Sequence, residues 1–440
     1  MTPHALSQLL VQRREDSRLV AYRGGAAISC ARFAAEVAGL AQQARSSGWR
    51  RAALLARDSY SFALGLYGLM HGDCEVVLPP NYQPATLEAM RGNFDLLVEE
   101  ALLCNGGRQE PCLAPLDPST ARMTFFTSGS TGTPKRVPKT LSMFEREAQT
   151  LEQSWGRDGG GPVFSTVPHQ HVYGLSFKIM WPLAAGRPFR AETHEIWETL
   201  LADLSPGATI VSSPAHLGRM AGLTPLRPDR RPARVFSAGA PLAYEAAIEA
   251  ERVLGVRPTE IFGSTETGAV ATRQQDIDDR PWQLLPGLAM RCDDEGRLNL
   301  LSPYVGSEWV ATADLVAPVA GGFRWLGRAD RVVKIEGRRV SLGAVESALA
   351  GLPWVTTAAV VLLPGNPDRL AAAVVPSLDG RERLAALGKF RFGRLLRQGL
   401  ADMLDPASAP RHWRFVEALP SAELGKRRDG DILRLFEDVR

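Results

Sequence analysis

Cysteine is scarce in this chain: five among 440 residues, at Cys30, Cys74, Cys104, Cys112 and Cys292, an odd number at irregular spacing with no C-x-x-C. That pattern argues against a disulfide framework and a thiolate zinc site, and for a reducing compartment. Long apolar runs are missing as well. The N-terminal stretch M-T-P-H-A-L-S-Q-L-L-V-Q-R-R-E-D lacks the apolar core of a secretory signal, and no later window reaches the length of a membrane span. A cytoplasmic protein with no membrane span is the expectation. Nor is there an excess of one charge: the net charge of +3 is too small at this length to suggest a nucleic-acid partner. The balance is uneven, though. From Gly327 onward 19 Lys and Arg stand against 14 Asp and Glu, so the C-terminal part is the basic one. Internal repeats and low-complexity tracts are absent too.

What is present is an apolar fraction of 45%, in a chain long enough for two or three domains. Its organising stretch is Met123–Lys135, M-T-F-F-T-S-G-S-T-G-T-P-K. An apolar strand ends at Phe126 and a loop rich in hydroxyls and glycines follows. Glycine reaches positive φ without strain, and crowded backbone N–H groups beside hydroxyls and a lysine make a phosphate cradle. Gly132 and Lys135 are separated by Thr133 and Pro134, so this is not the G-x-x-x-x-G-K-[ST] loop.

Around this stretch, strands and helices alternate. Ser29–Ser47 reads as a helix, with Phe33, Val37, Leu40 and Ala44 at helical spacing, and Ser59–Met70 as an apolar one. Strands are expected at Arg51–Leu55, Cys74–Leu78 and Leu96–Glu99, then at Val163–Val167, Thr209–Ser212, Arg234–Ser237 and Thr259–Phe262. Small or polar residues follow each of the later strands, at the edge where open α/β sheets bind ligands. The fold class is therefore α/β. A large N-terminal domain (1–326) carries parallel-type sheets with helices and a β-rich subdomain near 296–314. A small, mobile α+β C-terminal domain (331–440) follows a hinge at 327–330. In that last part Ala358–Leu363 and Leu370–Val375 form a strand–turn–strand unit, and Arg391–Leu404 reads as a helix.

Seven motifs occur in order: T-S-G-S-T-G-T-P-K (127–135), H-V-Y-G-L (171–175), S-A-G-A-P-L (237–242), F-G-S-T-E-T-G (262–268), T-A-D-L (312–315), G-R-A-D-R-V-V-K-I-E-G-R-R-V (327–340) and L-G-K (424–426). Together they resemble the adenylate-forming superfamily of acyl-CoA synthetases, luciferases and adenylation domains, over about Val20 to Ile432. The resemblance implies a ligase in two steps. A carboxylate attacks the α-phosphate of ATP to give an acyl-adenylate and pyrophosphate. A thiol, of coenzyme A or of a carrier protein's phosphopantetheine, then displaces AMP.

The roles it implies fall on residues of suitable chemistry. Thr127, Ser128, Gly129, Ser130, Thr131, Gly132 and Lys135 would hold the β- and γ-phosphates. Glu266 would bind Mg²⁺, a hard cation suited to carboxylate oxygen. Gly263 and Thr265 belong to the same turn, with Thr265 toward the α-phosphate. Phe262 would lie against adenine, or serve as a core aromatic. Asp314 would accept the ribose hydroxyls, with Arg328 nearby; a helix cap is the usual explanation of a lone aspartate, but the G-R-A-D-R-V-V-K that follows tips the balance to the ribose. Lys426 would bridge the substrate carboxylate and the α-phosphate, although by composition alone it belongs to a basic tail. Asp330 matches the hinge, and Lys334 and Gly337 the face turned inward for thioester formation.

His171, Val172, Gly174, Ser237, Ala238 and Gly239 would line the acyl pocket, with His171 as gate or as a buried structural histidine. Some positions depart from the usual pattern: Ala313 for glycine, Arg331 for an acidic residue, and Glu423 and Leu424 before the lysine. The part before the cradle is also short. Members that activate amino acids carry an aspartate near 167–175, and Val167–Leu175 contains no acidic residue. An ammonium buried there without a counter-charge is costly. The expected substrate is thus an aromatic or medium-chain carboxylic acid without an α-amino group. Lys389, Arg391, Arg394 and Arg397 cluster on one helical stretch and would suit an acidic acyl carrier protein. The competing readings are an amino-acid adenylation enzyme and a non-catalytic nucleotide-binding relative.

Overall fold

Phe33, Val37, Leu40 and Ala44, spaced for one face of a helix, are fully buried on the helix Cys30–Ser46. Each large apolar side chain so buried contributes roughly 1.5–3 kcal/mol. The next helix, Ser59–His71, is buried along its whole length. It starts at Asp58, whose carboxylate accepts the N–H groups of Tyr60 and Ser61, both at 2.9 Å. The two helices pack together, and the ring centroids of Phe33 and Tyr60 lie 5.9 Å apart.

In this computed structural model the described residues are 3–11, 17–105, 107–110, 112–128, 134–156, 160–277, 279–335, 338–363, 369–401, 403–404, 409–420 and 429–437. They form two compact units, Met1–Ala289 with Leu301–Trp309, and Met290–Leu300 with Val310–Arg440. The α/β class and the division into a larger N-terminal and a smaller C-terminal part are as expected. The positions read as a hinge, 327–330, fall within the second unit.

The first unit holds two sheets. In one, the strands run in the order Leu96–Val98, Arg51–Leu54, Glu75–Leu78, Arg122–Ser128 and Pro134–Thr140. The first four are parallel and the last is antiparallel. In the other, Val163–Ser165, Thr209–Ser212, Arg234–Ala238 and Thr259–Ser264 are parallel neighbours, and Gly268–Arg273 returns antiparallel from the last of them. Phe164, Ile210 and Val235 face the helices Trp197–Asp203 and Tyr244–Leu254 in one apolar cluster. On the opposite face, the Phe236 ring meets Trp155, Phe177 and Trp181 at centroid distances of 5.0, 5.1 and 5.8 Å.

In the second unit, Val355–Leu363 and Arg369–Pro376 are antiparallel, and His412–Phe415 pairs parallel to the latter. Strand alternation sends Ala358, Val360, Ala372 and Val374 to one face, against Leu349, Phe392 and Leu396. Ala359, Val361, Ala371 and Ala373 go to the other, against Ile432 and Phe436. The helix read at 391–404 spans Leu378–Gly399, with a non-helical Gly388 inside it. Its first half was hidden because nearly every side chain from Arg381 to Arg391 is exposed, so no apolar period marks it. No helix among the described residues is long and apolar enough to cross a membrane.

Candidate active site

Lys135 stands on a strand rather than in a loop. Pro134–Thr140 pairs antiparallel with Arg122–Ser128, with Lys135 opposite Thr127 and Pro134 opposite Ser128. From the sequence, Lys135 is expected in the loop that follows Phe126, and the segment contains two prolines. The strand is at the edge of its sheet, where proline's missing N–H costs no ladder bond. Thr127 and Ser128 are placed by their backbone only. Gly129, Ser130, Thr131 and Gly132 lie outside the described residues.

A second hairpin supplies the carboxylate. Thr259–Ser264 and Gly268–Arg273 are antiparallel, and the turn between them carries Thr265 and Glu266. Gly263 is required by a close approach: a Cβ there would lie 2.1 Å from the carbonyl oxygen of Gly268. Within the turn, the Thr267 N–H donates to Ser264 Oγ at 3.2 Å and the Ser264 N–H to Thr267 Oγ1 at 3.1 Å. Thr265 is buried, whereas the Glu266 carboxylate is partly open and lies 3.5 Å from Lys135 Nζ. Burial pushes this carboxyl up. Its own backbone N–H, the Ser264 hydroxyl and the Lys135 charge outweigh burial and hold it below the usual range. Glu266 is therefore ionised at neutral pH.

Of the residues expected to line the acyl pocket, Ser237 and Ala238 end the parallel strand Arg234–Ala238, and His171, Val172 and Gly174 follow the strand Val163–Ser165 by six to nine residues. Ser237 and Ala238 are buried, paired with Glu260 and Ile261, and Gly239 follows at φ 100°. His171 and Val172 are half-buried, with His171 capping the short helix Val172–Gly174. Gly174 is another close approach, since a Cβ would lie 2.0 Å from the carbonyl oxygen of Pro168. Phe262 is half-buried and packs on Trp282 at a centroid distance of 5.3 Å.

In the second unit, Asp314 lies on Val310–Val319, directly across the ladder from Arg328 on Gly322–Arg328. Trp325 Nε1 donates to Asp314 Oδ1 at 3.0 Å, fixing the carboxylate. The Arg328 guanidinium forks onto Asp330 at 2.9 and 2.6 Å, and holds that carboxyl below its ordinary value. Arg331, where an acidic residue is usual, is held by a double hydrogen bond to Glu346, both arms 2.9 Å. Lys334 is placed by its backbone, opposite Arg339. Gly337 and Lys426 lie outside the described residues.

Sequence reasoning missed the side chains behind Glu266. Lys139, 5% exposed, donates from Nζ to the Glu266 carbonyl oxygen at 2.7 Å. Glu147, equally buried, accepts the Ala269 N–H at 2.8 Å and the Ser176 hydroxyl at 2.7 Å. Burial pushes the Lys139 amine down and the Glu147 carboxyl up, and the charge of each partly offsets the shift of the other. The Tyr304 hydroxyl donates to the Ala269 carbonyl oxygen. A further buried ion pair, Arg273 Nε to Glu260 Oε1 at 2.8 Å, also secures the motif at 237–242. Glu260 Oε2 accepts the Leu242 N–H at 2.8 Å. A lysine or glutamate in sequence looks solvated, so only the packing finds these groups.

No cluster of three or more His, Cys, Asp or Glu gathers among the described residues, and the carboxylate this turn offers a divalent ion is that of Glu266, partly open. That fits Mg²⁺, which keeps several waters and takes one or two carboxylates beside phosphate oxygens.

The profile of the AMP-binding enzyme family matches residues 83–306. A 4-coumarate–CoA ligase of Rhodobacter capsulatus is 31% identical over 326 residues, covering 71% of this chain and 76% of that protein. The chain belongs to the adenylate-forming, AMP-binding enzyme family. The profile takes in both hairpins of this AMP-binding enzyme and the residues expected to line its acyl pocket, and stops short of Asp314 and Arg328. Its fold is similar to that of ATP-bound MatB from Rhodopseudomonas palustris, with a TM-score of 0.83 at 19% identity over 99% of each chain. It is also similar to an o-succinylbenzoate coenzyme A synthetase (MenE) from Bacillus subtilis in complex with AMP. That TM-score is 0.79 at 16% identity, covering 96% of this chain and 97% of the other.

Proposed function

We propose that this enzyme is an AMP-forming acid–thiol ligase that activates an aromatic or medium-chain carboxylic acid lacking an α-amino group. The observation that carries the reading is the Lys135–Glu266 contact at 3.5 Å, made by two hairpins beside the acyl-side strand ends. Such a reaction needs positioning and charge neutralisation rather than a covalent nucleophile.

The hydroxyls and backbone N–H groups of Thr127–Gly132, with Lys135, hold the β- and γ-phosphates of ATP. Glu266 would hold Mg²⁺, which, when bound, neutralises phosphate charge. Thr265 faces the α-phosphate, Asp314 takes the ribose hydroxyls with Arg328 beside it, and Lys426 neutralises the two anions as the carboxylate attacks the α-phosphorus. Pyrophosphate leaves; the thiol then attacks the acyl carbon and AMP leaves. Asp330 and its neighbours act as the hinge of the 331–440 region between the steps, bringing Lys334 and Gly337 to the thiol side. His171 gates the acyl pocket. Glu147, the buried carboxylate that reaches Ser176, is already committed to two hydrogen bonds and to the Lys139 charge. This supports an acid without an ammonium group.

A second reading of the acceptor rests on a specific surface. Lys389, Phe390, Arg391, Arg394 and Arg397 are exposed, and Phe390, Arg394 and Arg397 fall on one helical stripe. An acidic carrier protein fits such a stripe better than a small thiol does. Thioester formation measured with coenzyme A and with a loaded acidic carrier protein decides it. The R394E/R397E variant is expected to lose carrier-protein turnover at least tenfold while coenzyme A turnover stays within about twofold, given the strong cost of like-charge contacts. Equal loss with both thiols would reject the docking stripe.

A further inference from the structure

Glu266 is held at both ends by one strand. Lys135 and Lys139 are four residues apart on Pro134–Thr140, so they project from the same face. Lys135 Nζ approaches the Glu266 carboxylate at 3.5 Å, and Lys139 Nζ binds the Glu266 carbonyl oxygen at 2.7 Å. The rest of the turn is held from elsewhere: the Ala269 N–H by Glu147 on the helix Leu141–Trp155, and the Ala269 carbonyl by Tyr304. Thus the Glu266 carbonyl and both backbone groups of Ala269 are each bonded to a buried side chain from outside the hairpin.

Burying an ammonium and a carboxylate is costly unless each has a partner. Here the Lys139 amine donates to the Glu266 carbonyl, and the Glu147 carboxylate accepts the Ala269 N–H and the Ser176 hydroxyl. Lys139 and Glu147 border a gap closed by Met143, Phe144 and Tyr304 and too tight to hold a water. Their charges compensate across that gap while their hydrogen bonds are spent on the turn. An apolar pair of the same size would avoid the desolvation penalty but would leave the Glu266 carbonyl and the Ala269 N–H without these partners. The two side chains thus hold the turn in one conformation, and the group Lys139 grips belongs to the residue expected to meet Mg²⁺.

We propose that Lys139, charge-balanced by Glu147, is a positioning residue that fixes the Glu266 backbone and thereby aims its carboxylate at Mg·ATP. The proposal rests on the ligase reading for the identity of that ligand, and it assigns Lys139 no contact with substrate. Removing the amine frees the Glu266 carbonyl, so the carboxylate samples directions in which it cannot meet the ion and the phosphates together.

The test is calorimetric titration of Mg·ATP, at varied Mg²⁺, into the full-length wild type, K139M, K139R and the double variant K139M/E147Q, with thermal unfolding of each alongside. K139M is expected to weaken Mg·ATP binding by about tenfold to a hundredfold, the usual cost of losing an outer-shell partner of a metal site. It should also raise the Mg²⁺ needed for half-saturation. K139R should recover part of the loss. The double variant, with no uncompensated buried charge, should regain stability but not affinity. Should the double variant regain wild-type affinity along with stability, or K139M bind as wild type does, Lys139 is structural only and the proposal is overturned. Absence of Mg·ATP binding by the wild type would instead overturn the ligase reading, and the proposal with it.

Discussion

Glu266 and Lys135 were legible in the sequence because charged side chains set among glycines and hydroxyls have few ordinary reasons to be there. Lys139 and Glu147 were not, since P-K-T-L and R-E-A-Q read as solvated until packing buries them. His169, two residues before His171, carries no such signal in the sequence. It is 3% exposed, donates from Nε2 to the Ala56 carbonyl at 3.0 Å, and accepts from the Ser59 hydroxyl at Nδ1, also 3.0 Å. Burial first, and then the nearby Lys178 charge, push its pKa down to about 3 from 6.5. The native fold thus refuses a proton that the unfolded chain takes up between those values. This contribution to stability is complete above about pH 6.5 and is lost as pH falls toward 3. At pH 4.5 the loss approaches about 3 kcal/mol relative to pH 7, at about 1.4 kcal/mol per unit. Urea unfolding at both pH values should show H169Q losing less on acidification than the wild type. The remaining sensitivity includes His71, which burial lowers to about 4. Equal losses would show that His169 titrates normally.

Elements with a clear period were read correctly. Cys30–Ser46 and Ser59–His71 match their expected bounds within a residue or so, because an apolar stripe and a capping aspartate leave little choice. The failures share a cause. Pro134–Thr140 is a strand at a sheet edge, and Leu378–Leu387 is helical with only Gly380 and part of Leu384 turned to the core. In both, neighbours decide rather than local sequence. Asp58 shows how much one terminus contributes. It caps Ser59–His71 and pairs with Arg23 at 2.7 Å. D58A should destabilise the protein by about 1–2 kcal/mol, mostly through the two N–H groups left without an acceptor in a buried helix. Urea midpoints at constant slope would measure this. A change under about 0.3 kcal/mol, within the noise of ordinary surface substitutions, would mean that water replaces the cap.

At the scale of the molecule, the α/β architecture followed from the alternation of elements, and the family from seven ordered motifs. From the sequence, the ATP and acyl pocket is expected before residue 327 and Lys426 in the part that follows the hinge. Glu266 and Lys135 belong to the first unit, while Asp314, Arg328 and Asp330 belong to the second. The basic excess after Gly327 also belongs to the second unit, which holds the stripe of Phe390, Arg394 and Arg397. The two-step reaction proposed above would call for such a split, because the groups that assemble the adenylate must yield to those that admit the thiol. The most direct test is carboxylate-dependent exchange between pyrophosphate and ATP without thiol, for the wild type and K426A across a panel of aromatic and medium-chain acids. Exchange with at least one acid, AMP rather than ADP as the nucleotide product once a thiol is supplied, and collapse of exchange in K426A are the expected results. Unchanged exchange in K426A, or ADP and an acyl phosphate as products, would contradict the account.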